Sequence, residues 1–369
     1  MRTISEDAAD FLTRLIPFVE SDGARNLNQI SRDLPIPYMT LRKRMLNLKE
    51  KGFTVETIPD VEKLGLERIR TSFKLSPSLK ETIRAFFGGL HQSAGLRSYS
   101  RHMIKHNFDC EFCIPNGTTS ELQKLLEKLE EMEMIQDLKL KKVLWKDILM
   151  LKTQFYDFSK NEWDVDFSTL TGDPSSITIP TKSSPEHFDY NDLVMLKDLE
   201  IDSWMKTVDL ARRAELGKPD ANYHLNKHVF GKKLIKCFRF RWVGTKEAWM
   251  KHSIIPATFV FNEISDEYAR HAMSVLTSVP FTWAHTRAED GTYTAEVWVP
   301  IAQFSETIQY ISTLLRSLDL TPDVLMKDWS CLSAFTIPYM LYNEERSSWE
   351  FNAEHALEYT LQMIKAYSN

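Results

Sequence analysis

Tyr38, Met39, Thr40, Arg42, Lys43 and Arg44 stand close together in this 369-residue chain, with Lys49 shortly after them. On a helix that turns Leu41, Met45 and Leu48 inward, these side chains share the opposite, solvent-facing side. Such groups suit double-stranded DNA: Arg42 can meet guanine through two parallel hydrogen bonds, while Lys43, Arg44 and Lys49 can meet phosphate oxygens. A second run, Asn222, Tyr223, His224, Asn226, Lys227 and His228 followed by Lys232 and Lys233, interleaves an aromatic ring and amides with cations and suits the same task. The plainer alternative at both places is a solvated helix face. Because the two sets differ in identity, the two helices are expected to read different half-sites.

Other reactive residue types are sparser. Cys110-Glu-Phe-Cys113 has the spacing of a redox or metal pair, yet a redox pair needs the start of a helix and structural zinc needs four ligands. The residues around this pair read as a strand, so core or edge thiols are expected. No glycine-rich phosphate loop, His-Glu-x-x-His pair or nucleophile elbow occurs in the sequence. The expectation is therefore no catalytic residue, no metal and no cofactor, and a protein that is not an enzyme.

The elements that must position these residues are written twice. Asp109-Cys-Glu111-Phe-Cys-Ile-Pro115 with Ser120 is answered by Thr294-Ala-Glu296-Val-Trp-Val-Pro300 with Ser305, at a constant offset of 185 residues. Leu41, Met45 and Leu46 answer to Leu225, Val229 and Phe230 at 184, and Trp163 to Trp349 at 186. A repeat of that length is a duplicated domain unit, since solenoid repeats run about 20 to 50 residues.

Within the first unit, Ala9, Phe11, Leu12, Leu15, Ile16 and Val19 predict a helix over 6–20. Helices over 27–34 and 38–51 follow, stopped by Pro35 and Gly52, and Phe53 to Ile58 alternates as a strand. Three helices and a strand pair make a winged helix-turn-helix. Residues 69–144 then read strand, helix, two strands, helix, strand, the ferredoxin-like βαββαβ order, whose open sheet face is expected to be covered by another copy. The fold class is thus α+β, with two repeats of this pair of domains. Winged helices are expected at 1–64 and 188–250, and ferredoxin-like domains at 65–167 and 251–369, the last with a C-terminal helix. Both end in a hairpin with a tryptophan, Trp163 or Trp349, and a Pro- and Ser-rich linker spans 168–187.

The totals agree with a soluble globular protein, 43% apolar and 26% charged, without an apolar run fit for a membrane. Acids at Glu6 and Asp7 and only four cysteines lead to a cytoplasmic expectation. The net charge of -5 hides a basic stretch between Ser203 and Lys246, with eleven Lys or Arg against three acids.

Leu27-Asn-Gln-Ile-Ser-Arg-Asp-Leu34, the run Thr40 to Phe53, and the hairpin Asn107-Phe-Asp-Cys-Glu-Phe resemble the Lrp/AsnC family of bacterial and archaeal transcription regulators. The resemblance implies a third helix that enters the DNA major groove. It also implies a βαββαβ domain that self-associates, here as an intrachain pseudo-dimer or a homodimer, and takes a small-molecule effector. His106, Asn107, Asp109, Asp290 and Gly291 stand at the turns the effector would use, although the usual Gly-acid pair is His106-Asn107 in the first half. A second resemblance is to siroheme decarboxylases, which share the two-domain build and use His and Arg near this hairpin; Tyr99, Arg101, His102 and His106 are reminiscent, against Trp283, His285 and Arg287 in the second half. A protein-interaction scaffold is the third alternative.

Overall fold

The computed structural model describes residues 6–23, 27–150, 152–160, 162–241 and 254–368. Lys246 and the expected domain boundary at 250/251 lie outside the described residues. Helix α1 (Glu6–Asp22) buries Phe11, Leu12, Leu15, Ile16 and Val19 against Ile30 of α2 (Leu27–Asp33) and Leu41, Met45 and Leu48 of α3 (Tyr38–Glu50). Full burial of one such side chain contributes about 1.5–3 kcal/mol, so this cluster holds the three helices as one body. Strand β1 (Thr54–Pro59) follows.

Next come β2 (Leu66–Leu75), α4 (Ile83–Ala94), β3 (Leu96–His102), β4 (Phe108–Pro115), α5 (Thr119–Glu131) and β5 (Ile135–Ile148), with a small hairpin of β6 (Tyr156–Asp157) and β7 (Glu162–Trp163). The second half opens with α6 (Tyr190–Ile201), α7 (Thr207–Arg213) and α8 (Lys218–Tyr223), which runs into a π-helical segment His224–Phe230 before β8 (Ile235–Arg241). It then repeats the earlier order: β9 (Ile254–Phe261), α9 (Asp266–Ser278), β10 (Thr282–Ala288), β11 (Tyr293–Pro300), α10 (Phe304–Arg316) and β12 (Asp323–Ala334). A hairpin of β13 (Tyr342–Asn343) and β14 (Ser348–Trp349) and helix α11 (Ala353–Ser368) complete the chain. Among the described residues, no helix is long and apolar enough to cross a membrane.

The two four-stranded sheets, β5-β2-β4-β3 and β12-β9-β11-β10, join edge to edge into one closed eight-stranded barrel. Strand β12 pairs with β3, placing Lys327 opposite His102, and β10 pairs with β5, placing Thr286 opposite Lys146. Closure satisfies the backbone groups that each sheet alone would leave exposed, so each half supplies the partner that the other needs.

One expectation is corrected. The sequence predicts a strand pair inside the first winged unit, but β1 pairs with β8 of the second, Thr54 opposite Arg241. Each unit brings a single strand to this place, and the two satisfy one another's edges.

Alternation along the strands sorts the side chains. Ile69 and Phe73 of β2 and Cys110, Phe112 and Ile114 of β4 pack outward with Phe86, Phe87 and Leu90 of α4 and Leu122 and Leu126 of α5. Arg68, Arg70 and Ser72, together with Asp109 and Glu111, therefore face the barrel interior. Gly95 joins α4 to β3 at φ +72°, and a Cβ there would stand 2.3 Å from the Cys113 carbonyl oxygen, so only glycine permits this connection. The linker lies along the surface, with the Ser183 N–H donating to Glu62 at 2.7 Å.

Candidate functional site

At the end of the barrel nearest the winged helices lies a cavity of 590 Å³, bounded by β1 and β8 on one side and by both sheets on the other. Six cations line it, Arg68, Arg97, Lys146, Arg239, Arg241 and Lys327, against four carboxylates, Glu56, Glu111, Glu200 and Glu296. The cavity therefore has an excess of two positive charges over acids.

Five strands place the six cations, β8 supplying both Arg239 and Arg241. Arg68 and Lys146 project inward from β2 and β5 and share Glu111, at 2.6 and 2.7 Å. Burial alone would raise the Glu111 pKa, but the Lys146 and Arg68 charges more than offset it and hold the carboxyl well below the usual range. A bulge between Leu96 and Ser98 takes Arg97 out of the ladder, and its guanidinium turns to Glu200, Nη2 to Oε1 at 2.7 Å. Burial pushes Glu200 up against the pull of Arg97. Arg241 meets Glu56 at 2.9 Å, and Lys327 stands 3.7 Å from Glu296.

Arg239 is the exception. It is 7% exposed, its guanidinium lies 3.3 Å from the centre of the Trp283 ring, and its Nε and Nη2 have no hydrogen-bond partner. Its nearest acid, Glu56, is 3.9 Å from Nη1. Burial lowers its pKa to about 10 despite Glu56, so it still carries its charge near neutrality. Trp283 in turn stacks on Trp298, 4.5 Å apart and 9° from parallel.

One further titratable group reaches the cavity. His91 of α4 donates from Nδ1 to the Leu96 carbonyl at 3.0 Å and stacks on Phe335 at 4.4 Å, which leaves Nε2 as the nitrogen available to a ligand. Burial lowers its pKa to about 4, so the ring is neutral near pH 7.

A smaller cavity of 220 Å³ lies elsewhere in the barrel, lined by Arg70, His102, Asn107, Asp109, Lys139 and Lys141 among others. Of the expected effector residues, Asn107 and Asp109 line it, and Asp109 accepts from His102 Nε2 at 2.8 Å. Asp290 is engaged by Lys141 at 2.7 Å, Gly291 turns at φ +79°, and His106 is exposed at φ +57°.

On α3, Tyr38, Thr40, Arg42, Lys43 and Arg44 are exposed, with Arg44 over the Phe11 ring at 4.9 Å. Lys49 instead meets Asp202 at 2.8 Å. In the second half Tyr223, Asn226, Lys227 and Lys233 are exposed, Asn222 and Lys232 half-buried, and the Lys232 ammonium donates to the His187 carbonyl. His224 points inward to Asp192 at 2.9 Å, because the π-helical segment rotates that face toward α6.

Of the residues reminiscent of siroheme decarboxylases, only Tyr99 and Trp283 line the large cavity. Arg101 is bonded to Asp328, His285 is buried against Tyr293 at 2.6 Å, and Arg287 holds Asp266 at 2.8 Å. Cys110 and Cys113 face opposite sides of β4, and burial raises both thiols. Sequence reasoning missed Arg68, His91, Arg97, Glu111, Lys146 and Lys327. The inward positions of Arg68, Glu111, Lys146 and Lys327 follow from strand alternation, but His91 lies on α4, Arg97 lies in a bulge, and which strands share a cavity depends on the closure of the barrel.

Neither a family model nor a curated protein matches the chain. Among solved structures, it is similar over 99% of both chains to the siroheme decarboxylase NirDL, at 11% identity and a TM-score of 0.57. The same enzyme in co-complex with an iron-uroporphyrin III analogue gives 10% identity and a TM-score of 0.55. Part of the chain, 38%, is similar to 91% of the leucine response regulatory protein LrpA of Mycobacterium tuberculosis, at 17% identity and a TM-score of 0.28. The expectation of a protein that is not an enzyme does not stand beside a likeness of fold, over the whole chain, to an enzyme. That expectation rested on the absence of local motifs, and a cavity gathered from separate strands and helices leaves none.

Proposed function

We propose that the chain binds a tetrapyrrole of the siroheme type in the larger cavity and removes CO2 from side-chain carboxylates of that macrocycle. The observation that carries this reading is the buried Arg239, with two N–H groups left over, beside stacked indoles in a cavity with more cations than acids. Guanidinium groups suit carboxylates on the rim of such a macrocycle. The likeness of fold to the siroheme decarboxylase NirDL supports the same reading.

In such a reaction the bond from the side-chain carbon to the carboxylate breaks, CO2 leaves, and the electron pair left on carbon takes a proton. Arg97, Arg239 and Arg241 hold the carboxylates that are retained. His91 Nε2 supplies the proton: a substrate carboxylate beside the ring favours imidazolium and lifts its pKa above the resting value of about 4. Mixing the full chain with siroheme or iron uroporphyrin should shift the porphyrin absorption, and mass spectrometry should then detect loss of CO2. No spectral shift with folded protein would overturn the binding, and a shift without CO2 loss would overturn the chemistry.

One observation favours a second activity, sequence-specific DNA binding in transcription regulation. Tyr38, Thr40, Arg42 and Lys43 form an exposed face on α3, and no ion pair engages Arg42 or Lys43 among the described residues. The smaller cavity, lined by Asn107 and Asp109, is the place for an effector in this reading. A gel shift with genomic fragments that weakens steeply with salt supports it.

A further inference from the structure

Asp189 and Asp192 sit at the start of α6, and His224 and His228 sit one helical turn apart on the π-helical segment packed against it. One ligand atom from each of these four residues lies within 4.8 Å of the other three. His224 Nδ1 is 2.9 Å from one Asp192 oxygen, His228 Nδ1 is 2.9 Å from the other, and His224 Nδ1 is 3.5 Å from Asp189. We propose that this set is a site for a divalent metal ion of the zinc type, which fastens the second recognition segment to α6.

Charge supplies the first argument. Asp192 is 0% exposed, and among the described residues its ion pairs and those of Asp189 are to histidines alone, with no lysine or arginine. With both imidazoles neutral the cluster carries two negative charges, one of them deep in the protein, where Asp192 has hydrogen bonds from the Asp189 N–H and both imidazoles but no lysine or arginine to balance its charge. A dication bound through two imidazoles and two carboxylates brings the total to zero. Donor chemistry agrees, because imidazole nitrogen and carboxylate oxygen in a four-membered set are the ligands of tetrahedral zinc.

The backbone supplies the second. The stretch carrying both histidines is a π-helix, a rare form that recurs at functional sites. It belongs to the second half alone. At the offset of 184 that aligns Leu41 with Leu225, the first half has Thr40 and Arg44 in place of His224 and His228, and Ala8 in place of Asp192. The expectation of no metal rested on the lack of a His-Glu-x-x-His pair and of a four-cysteine set; Asp192 stands 32 and 36 residues before the two histidines, so only the fold joins it to them.

The test uses the full-length protein freed of metal with a chelator and titrated with Co2+, a visible stand-in for Zn2+. Expected are the intense visible bands of tetrahedral cobalt, saturating at one ion per chain and bleached by Zn2+, with a rise in melting temperature on addition of Zn2+. His224→Ala and His228→Ala, whose side chains are 14% and 19% exposed, should fold, by circular dichroism, and lose both responses. Wild type without cobalt bands, or bands that persist in the folded double variant, would overturn the proposal.

Discussion

The Arg239 guanidinium carbon lies over the Trp283 ring, 3.3 Å from its centre, yet Nε–H and Nη2–H donate to no acceptor. The ring holds the charge in place by cation–π attraction, beside a cavity that the residue lines. Arg239→Ala should weaken binding of iron uroporphyrin by about 2 kcal/mol, roughly 30-fold. Arg239→Lys should recover little, since an ammonium presents no planar fork. Equal affinity of all three proteins in a spectral titration would remove Arg239 from the site.

His91 gives a pH signature independent of any ligand. Its folded pKa is lowered by burial to about 4, and an unfolded histidine titrates near 6.5. Between those values the unfolded chain binds more protons, so the stability from burying the neutral ring is complete above about pH 6.5 and is lost as pH falls toward 4. The loss approaches ~3 kcal/mol for this residue. His285, lowered to about 3 by burial, acts with the same sign. Urea denaturation from pH 7 to 4.5 should show a shallower decline for His91→Gln than for wild type, and parallel declines would refute the assignment.

Much of the fold is legible in the sequence and little of the cavity is. The spacing of Leu41, Met45 and Leu48 predicts α3, and the alternation around Asp109 and Glu111 predicts β4, because both depend on neighbours along the chain. Arg97 reaches Glu200 only through a bulge, and Lys327 comes beside Glu296 in a cavity that also holds Arg68 only when β12 closes on β3. The first relation is set by a local bulge and a helix 103 residues away, the second by edge pairing between strands more than two hundred residues apart, and periodicity gives no signal for either. The inward turn of His224 is lost for a similar reason: an ordinary helical period does not foresee a π-helical turn.

Glu111 joins Arg68 and Lys146 inside the barrel, so its removal leaves two buried cations without their shared acid. Glu111→Gln should destabilise the protein at pH 7 by about 3 kcal/mol or more. Its folded pKa is depressed, so its contribution is present above the unfolded value near 4.3 and is lost as pH falls through the folded one. The gap between wild type and variant should therefore narrow below about pH 4.3, by ~1.4 kcal/mol per unit. A gap independent of pH in denaturant titrations would mean that packing, not charge, is what Glu111 supplies.

Lys49 and Lys43 both belong to α3, yet only Lys49 is tied down, at 2.8 Å from Asp202 of the second half. An exposed pair of this kind contributes about 0–1 kcal/mol to stability, so Lys49→Ala should leave the melting temperature nearly unchanged. Its effect on DNA should be small too, because Asp202 already neutralises the charge a phosphate would need. Lys43→Ala, which removes an unpaired cation from the exposed face, should weaken binding to all fragments alike and lower the slope of log affinity against log salt by about 1. Arg42→Ala should instead relax the preference among sequences if that guanidinium reads a base. Salt titrations in which Lys43→Ala and Lys49→Ala reduce the slope equally would show that the bridge to Asp202 opens on DNA, and a slope unchanged by either would take α3 away from the phosphate backbone.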